Sequence, residues 1–177
     1  MKAFVIHSKE CVDRKEFVDQ MVKRLGAVVV EAVYLPDRVK GCFLSHYLVA
    51  QLSKSLFPDE PYFVLEDDCV LSDDFQEYFK RVSVDSSDIV YLGYTDEDKT
   101  KEVIYGTHAM ILNPHARDIF LTYGKEPWMA GAALDHALSQ LSLDHDLKVS
   151  KPSYELRERW CWQKRGLKST ITGGIRE

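Results

Sequence analysis

Residues 62–75, YFVLEDDCVLSDDF, constrain this chain more than any other stretch. Tyr62 to Leu65 are apolar at every position, which reads as a short strand covered on both faces of a sheet. The run stops at Glu66, Asp67 and Asp68, and Asp73 and Asp74 follow. Like charges a few ångströms apart repel, and burying them is costly unless a positive charge meets them. The fold must therefore bring a cation to the end of a buried strand, or leave that end in water where the acids cap the next helix.

The rest of the chain supplies strands and helices in alternation. Lys2–His7 reads as a strand, and Asp13 can cap a helix over Arg14–Leu25 that Gly26 ends. Ala27–Tyr34 is a second strand, followed by the loop LPDRVKG. Leu44, Leu48 and Leu52 recur every four residues and predict a helix over Cys42–Leu56. A short helix runs from Asp73 or Asp74 to about Arg81. Asp88–Leu92, Val103–Tyr105 and Thr107–Leu112 are strand material, with YTDEDKTKE a polar loop. Asn113-Pro114 opens a helix through Tyr123, GKEPWMAGA is a loop, Ala133–Leu141 a helix and Leu147–Val149 a late strand. This alternation predicts an α/β sandwich with a mostly parallel central sheet, in which ligands sit at the carboxyl ends of strands. Glu66–Asp68 fall at such an end.

Length and charge narrow the classes. At 177 residues the chain is read as one domain, and its net charge of −5 gives no general attraction to nucleic acid. The charge is uneven: residues 148–177 hold 8 Lys/Arg and 3 Asp/Glu, against 15 and 25 before them. No run approaches the roughly 20 apolar residues that span a bilayer. The four cysteines form no C-x-x-C pair and read as reduced thiols, which with the absence of a secretory leader predicts a cytoplasmic location. A homo-oligomer stays open.

A divalent cation answers the acidic cluster chemically. Carboxylate oxygens are hard ligands that suit Mg²⁺ or Mn²⁺. In extended chain Glu66 and Asp68 share a face and Asp67 takes the other, so Asp68 and Glu66 are the candidate metal ligands. Ser45 and His46 stand where the helix after Gly41 should begin; its free N–H groups can face a diphosphate, or Ser45 can simply cap the helix. His46 can bond to the acidic strand end or within the core. Gly106-Thr107-His108 allows close backbone approach beside a hydroxyl and an imidazole, at a sugar or merely at a turn. Trp128 can stack on a sugar or fill the core. The basic tail, with Arg157, Arg159, Lys164, Arg165, Lys168 and two tryptophans, Trp160 and Trp162, can cover phosphates or remain a solvated face.

GCFLSHYLVAQ (41–51), FVLEDDCVLSDDF (63–75), IVYLGY (89–94), YGTHAMILNPHAR (105–117) and LDHAL (134–138) occur in an order and at intervals that resemble glycosyltransferase family 25. VIHSK, followed by Asp13-Arg14, looks like that family's first strand and Arg-bearing turn. The resemblance implies a GT-A-like nucleotide-binding sandwich, a nucleotide-diphosphate sugar as donor, a glycan, lipid-linked glycan or protein hydroxyl as acceptor, a divalent metal (Mn²⁺ or Mg²⁺) and inversion at the sugar. It assigns Glu66 and Asp67 with Ser45, His46, Gly106 and Thr107 to the donor side. It also raises Asp135 from a helix cap to an acceptor contact or general base; a base must reach the acceptor hydroxyl by a hydrogen bond, and His108 and Asp96 are the further candidates. The alternative is a catalytically reduced module of the same fold that binds nucleotide-sugar or glycan without turnover.

Overall fold

The structure, a computed structural model, describes residues 1–81, 86–100, 102–106, 108–153, 156 and 159–164. Its strands are Lys2–His7 (β1), Val28–Glu31 (β2), Tyr62–Glu66 (β3), Cys69–Leu71 (β4), Ile89–Gly93 (β5), Asp96–Asp98 (β6), Val103–Tyr105 (β7), Ala109–Leu112 (β8), Val149–Ser150 (β9) and Cys161–Gln163 (β10). Its α-helices are Lys15–Leu25 (α1), Arg38–Leu56 (α2), Phe75–Arg81 (α3), Pro114–Tyr123 (α4), Lys125–Met129 (α5) and Leu134–Asp144 (α6), and a 3-10 turn at Val12–Arg14 precedes α1.

Six strands form the central sheet in the order β2-β1-β3-β8-β5-β9. β1 pairs parallel with β2 and β3, β5 pairs parallel with β9, and β8 alone is antiparallel to both its neighbours, β3 and β5. The sheet is therefore mostly parallel, as the alternation predicts. β10 closes on β4, and β6 on β7, as separate two-stranded pieces.

Side chains of period two divide the core. Phe4, Ile6, Tyr62, Val64, Tyr91, Met110 and Leu112 point to one face, where Phe43, Tyr47, Phe120 and Leu138 from α2, α4 and α6 cover them. Ala3, Val5, Phe63, Leu65, Val90 and Ile111 point to the other, against Val18 and Met21 of α1 and Phe75 of α3. Burial of β3 on both faces explains its unbroken apolar run. Arg117, 1% exposed, fixes the turn that launches β3: its guanidinium donates to the carbonyls of Phe57, Pro58 and Glu60 and to Ser53 Oγ.

Several boundaries differ from the sequence reading. α2 starts at Arg38, with Asp37 as N-cap accepting from the Lys40 N–H, so part of the predicted loop is helix. Gly41 lies inside this helix rather than before it. A Cβ there would stand 2.6 Å from the Val33 carbonyl oxygen, so the glycine serves close packing of helix on chain. The loops YTDEDKTKE and GKEPWMAGA contain β6 and α5. Both are short, and neither carries an apolar period. β2 is only four residues long, and residues 32–34 leave the sheet. No helix among the described residues is long and apolar enough to cross a membrane.

Candidate active site

The strand alternation fixes where the first two acids go. Glu66 continues the parity of Tyr62 and Val64 and turns to the α2 face; Asp67 continues that of Leu65 and turns to the α1 face. β3 ends at Glu66, so the alternation does not extend to Asp68, yet Glu66 and Asp68 line one cavity.

Asp67 meets a set of donors. Arg14 Nη1 lies 2.5 Å from Oδ1, while His7 Nδ1 at 2.9 Å and the Ser8 N–H at 3.1 Å meet Oδ2. The same Arg14 nitrogen is 3.4 Å from Asp68 Oδ2. Arg14, Asp67 and Asp68 are 3%, 5% and 3% exposed, so the cluster is a buried ion network. Burial works against the Arg14 charge, but Asp67 and Asp68 outweigh it and hold its pKa above the ordinary value. The structure thus corrects the reading that an external cation relieves all three acids: a resident arginine neutralises the Asp67 corner. Both Asp67 oxygens are engaged by the fold.

Glu66 has different company. Its Oε1 stands 3.3 Å from His46 Nε2 and 3.9 Å from Cys42 Sγ, and Gln163 Nε2 reaches Oε2 at 3.5 Å. Cys42 and His46 are one turn apart on α2 and so project together. Burial first, then the Glu66 carboxylate, push the Cys42 thiol well above its usual range. Cys42, His46 and Glu66 form a group whose ligand atoms all lie within 4.8 Å of one another. The predicted contact of His46 with the acidic strand end is present.

Two cavities flank Glu66. One, beyond the ends of β1 and β3, is lined by Arg14, Asp67, Asp68, Val33, Tyr34 and Arg38 among others; the second by Tyr105, Gly106, Asp135 and Gln163. Cys42 and Glu66 line both. At the mouth of the first, the Arg38 guanidinium stacks 3.2 Å from the Tyr34 ring centre. In the second, Asp135 sits in the first turn of α6 after the N-cap Ala133, and its Oδ2 accepts from the Gly106 N–H at 3.3 Å. Gly106 has φ +85°, and a Cβ there would meet Thr95 Oγ1 at 2.6 Å. Asp135 is therefore not the helix cap.

Other predicted positions fare differently. Ser45 is inside α2, not at its start: its hydroxyl donates to the Gly41 carbonyl and accepts the Val33 N–H, each at 2.8 Å. This corrects the anion-binding helix start, although Ser45 still lines the first cavity. His108 is fully buried, lines neither cavity, and lies beside Cys161, which corrects its placement at a sugar or acceptor. Burial alone would raise the Cys161 thiol; the Cys69 thiol and the His108 ring beside it favour the thiolate more strongly and bring it down to about 6. Thr107 lies outside the described residues, as do Arg157, Arg165 and Lys168. Trp128 packs on Phe43, with ring centres 6.2 Å apart, and belongs to the core. Trp160 stacks on Tyr78 at 3.8 Å, and the Lys164 N–H donates to the Asp68 carbonyl, so β10 is fastened beside the acidic turn.

Sequence reasoning missed Arg14 as the internal cation and Cys42 as a polar member of the site. The Cys42–His46 spacing on a predicted helix was the available signal for the latter. For Arg14 the sequence held only its place in the first turn after β1.

Residues 30–116 match the model of glycosyltransferase family 25, described as LPS biosynthesis protein. This segment is similar to glycosyltransferase family 25. The matched segment includes Cys42, His46, Glu66–Asp68 and Gly106, and stops before Asp135. A search of curated proteins gives no match. Among solved structures, a glycosyltransferase involved in glycosylation of the major capsid of PBCV-1 aligns with TM-score 0.55 at 10% identity, over 85% of this chain and 80% of that one. A Drosophila β-1,4-galactosyltransferase 7 mutant, solved with manganese, UDP-Gal and xylobiose, aligns with TM-score 0.51 at 12% identity, over 99% and 69%. The galactosyltransferase LgtC, in complex with donor and acceptor sugar analogs, aligns with TM-score 0.52 at 8% identity, over 85% and 73%. The fold is that of GT-A glycosyltransferases, and fold and family together support sugar transfer.

Proposed function

We propose that the protein transfers a sugar from a nucleotide-diphosphate donor to a hydroxyl of a glycan, lipid-linked glycan or protein, in one inverting displacement. The observation that carries this reading is the Glu66 wall: two cavities adjoin at one carboxylate, one with a planar and cationic mouth, the other holding Asp135. A transferase needs two such sites sharing one reaction point.

In this reading the donor occupies the first cavity. Ile6 and Val33 offer apolar surface to the nucleoside, Tyr34 a ring face, and Arg38 a charge for the diphosphate. The Drosophila neighbour, solved with UDP-Gal and manganese, supports the ligand class. The acceptor enters the second cavity. Asp135 takes the proton of the acceptor hydroxyl as its oxygen bonds to the sugar's anomeric carbon, and the bond to the diphosphate breaks, its electron pair leaving with the diphosphate. Gly106 N–H holds one Asp135 oxygen in place for this step.

Asp68 and Glu66 both line the donor cavity, and their carboxylate oxygens fit a hard divalent cation, Mn²⁺ or Mg²⁺. Bound there, the cation would supply charge neutralisation for the departing diphosphate.

The test is a thermal-shift screen of nucleotide-diphosphate sugars, with and without Mn²⁺, followed by a product assay. One donor should stabilise the protein selectively. Transfer to a glycan acceptor should be lost in Asp68→Ala and Asp135→Asn. Stabilisation with no product from any acceptor would replace the transferase by a donor-binding module.

A further inference from the structure

We infer that Cys42, His46 and Glu66 form a binding site for a borderline-soft divalent cation of the zinc class, which shares Glu66 with the hard-metal reading but does not use Asp68. The inference stands without the transferase reading, because the metal is read out directly.

Two of the three ligand–ligand edges lie near those of a coordination polyhedron. A tetrahedral zinc site with Zn–N of about 2.05 Å, Zn–O of about 2.1 Å and Zn–S of about 2.3 Å has an N···O edge of about 3.4 Å and an S···O edge of about 3.6 Å. Here the His46 Nε2···Glu66 Oε1 distance is 3.3 Å and the Cys42 Sγ···Glu66 Oε1 distance 3.9 Å. All three ligand atoms lie within 4.8 Å of one another, so an ion seated among them would draw them together.

The donor types select the metal. A thiolate and an imidazole are poor ligands for Mg²⁺ and good ones for Zn²⁺ or Co²⁺. The helix fixes two of them, since Cys42 and His46 are i and i+4 on α2, and β3 brings the third. His46 is only 2% exposed, and its Nδ1 meets no hydrogen-bond partner among the described residues. Its polar contact among the described residues is Glu66, so the ring has no other visible task in the fold.

Three protein ligands leave a coordination position open, as at zinc sites that act on substrate rather than brace a fold. Cys42 and Glu66 line both cavities, so that position opens to water or to a ligand hydroxyl. Binding converts the Cys42 thiol to a thiolate and releases its proton to solvent, so uptake tightens as pH rises.

Cobalt titration of the full chain tests this. Co²⁺ should give intense tetrahedral visible bands and a sulfur-to-cobalt charge-transfer band in the near ultraviolet. One equivalent of Zn²⁺ should erase both, and a large excess of Mg²⁺ should not. Cys42→Ser should remove the charge-transfer band and weaken Zn²⁺ binding by about 100-fold or more, with His46→Gln weakening it comparably. Cys11→Ser and Asp68→Asn should keep the band, with circular dichroism confirming that each variant is folded. A wild-type titration without a sulfur band, or a band that survives Cys42→Ser, overturns the site.

Discussion

Glu66 and Asp67 are adjacent in the chain and chemically alike, yet they lie in two different environments. On the α1 side, Asp67 is held by Arg14, His7 and the Ser8 backbone, and is 5% exposed. On the α2 side, the Glu66 side chain is 20% exposed, stands beside a thiol and an imidazole, and borders two cavities. One corner spends its charge on holding β1, α1 and β3 together. The other keeps its charge where a ligand can meet it. An acidic cluster need not act as a unit: a strand's two-residue period can split it into a structural half and a chemical half.

Four experiments can break or sharpen that contrast. The largest effect belongs to the α2 side. Glu66→Gln should lower kcat/KM for sugar transfer by about 10³- to 10⁴-fold, roughly 4–5.5 kcal/mol of transition-state stabilisation, while the urea midpoint moves little. A large stability loss with intact turnover would reverse the two roles.

The opposite pattern is expected of Arg14. Arg14→Met leaves two buried carboxylates without their cation and should cost about 3–5 kcal/mol of unfolding free energy in urea. Asp67→Asn, which removes charge but retains an acceptor, should cost less, about 1.5–3 kcal/mol. If neither variant shifts the denaturation midpoint, the network is not the anchor described.

Asp88 serves as a reference carboxylate away from both corners. Its partial burial opposes ionisation, but the Lys148 N–H, Asn113 Nδ2 and His115 Nδ1 outweigh that and hold it below the usual value of 3.8. A depressed folded pKa contributes stability that is complete above the unfolded value and lost as pH falls through the folded one. Asp88→Asn should therefore cost about 1–1.5 kcal/mol at neutral pH, with the gap to wild type closing below pH of about 4. Thermal melts at stepped pH would check it; a gap that is constant down to pH of about 2 would exclude the charge as its source.

The smallest effect is expected at Ser45. Ser45→Ala leaves the Val33 N–H without its acceptor and should cost about 1 kcal/mol, measured by chemical denaturation. No loss at all would return Ser45 to a role in ligand binding.

The apolar run of β3, the period of Leu44, Leu48 and Leu52, and the Asn113-Pro114 start each report local burial or capping, and each was legible in the sequence. So was the division between Glu66 and Asp67, because alternation is a property of one strand. Local reading was incomplete at Asp68, since nothing local marks where the strand ends. It failed at Ser45, because a glycine inside a helix reads as a boundary until the Val33 carbonyl packed against it is known.

By itself the sequence determined the strand–helix alternation, the acidic strand end and the family likeness of the ordered motifs, because all three are written in neighbouring residues. Only the tertiary structure decided which partner each acid receives. Arg14 reaches Asp67 across 53 residues of chain, His46 reaches Glu66 across 20, and Asp135 reaches Gly106 across 29. The physical reason is that electrostatic neutralisation is a matter of distance in space. Charge type can be read from a sequence, but the ångströms between charges are set by how the sheet carries its strand ends together.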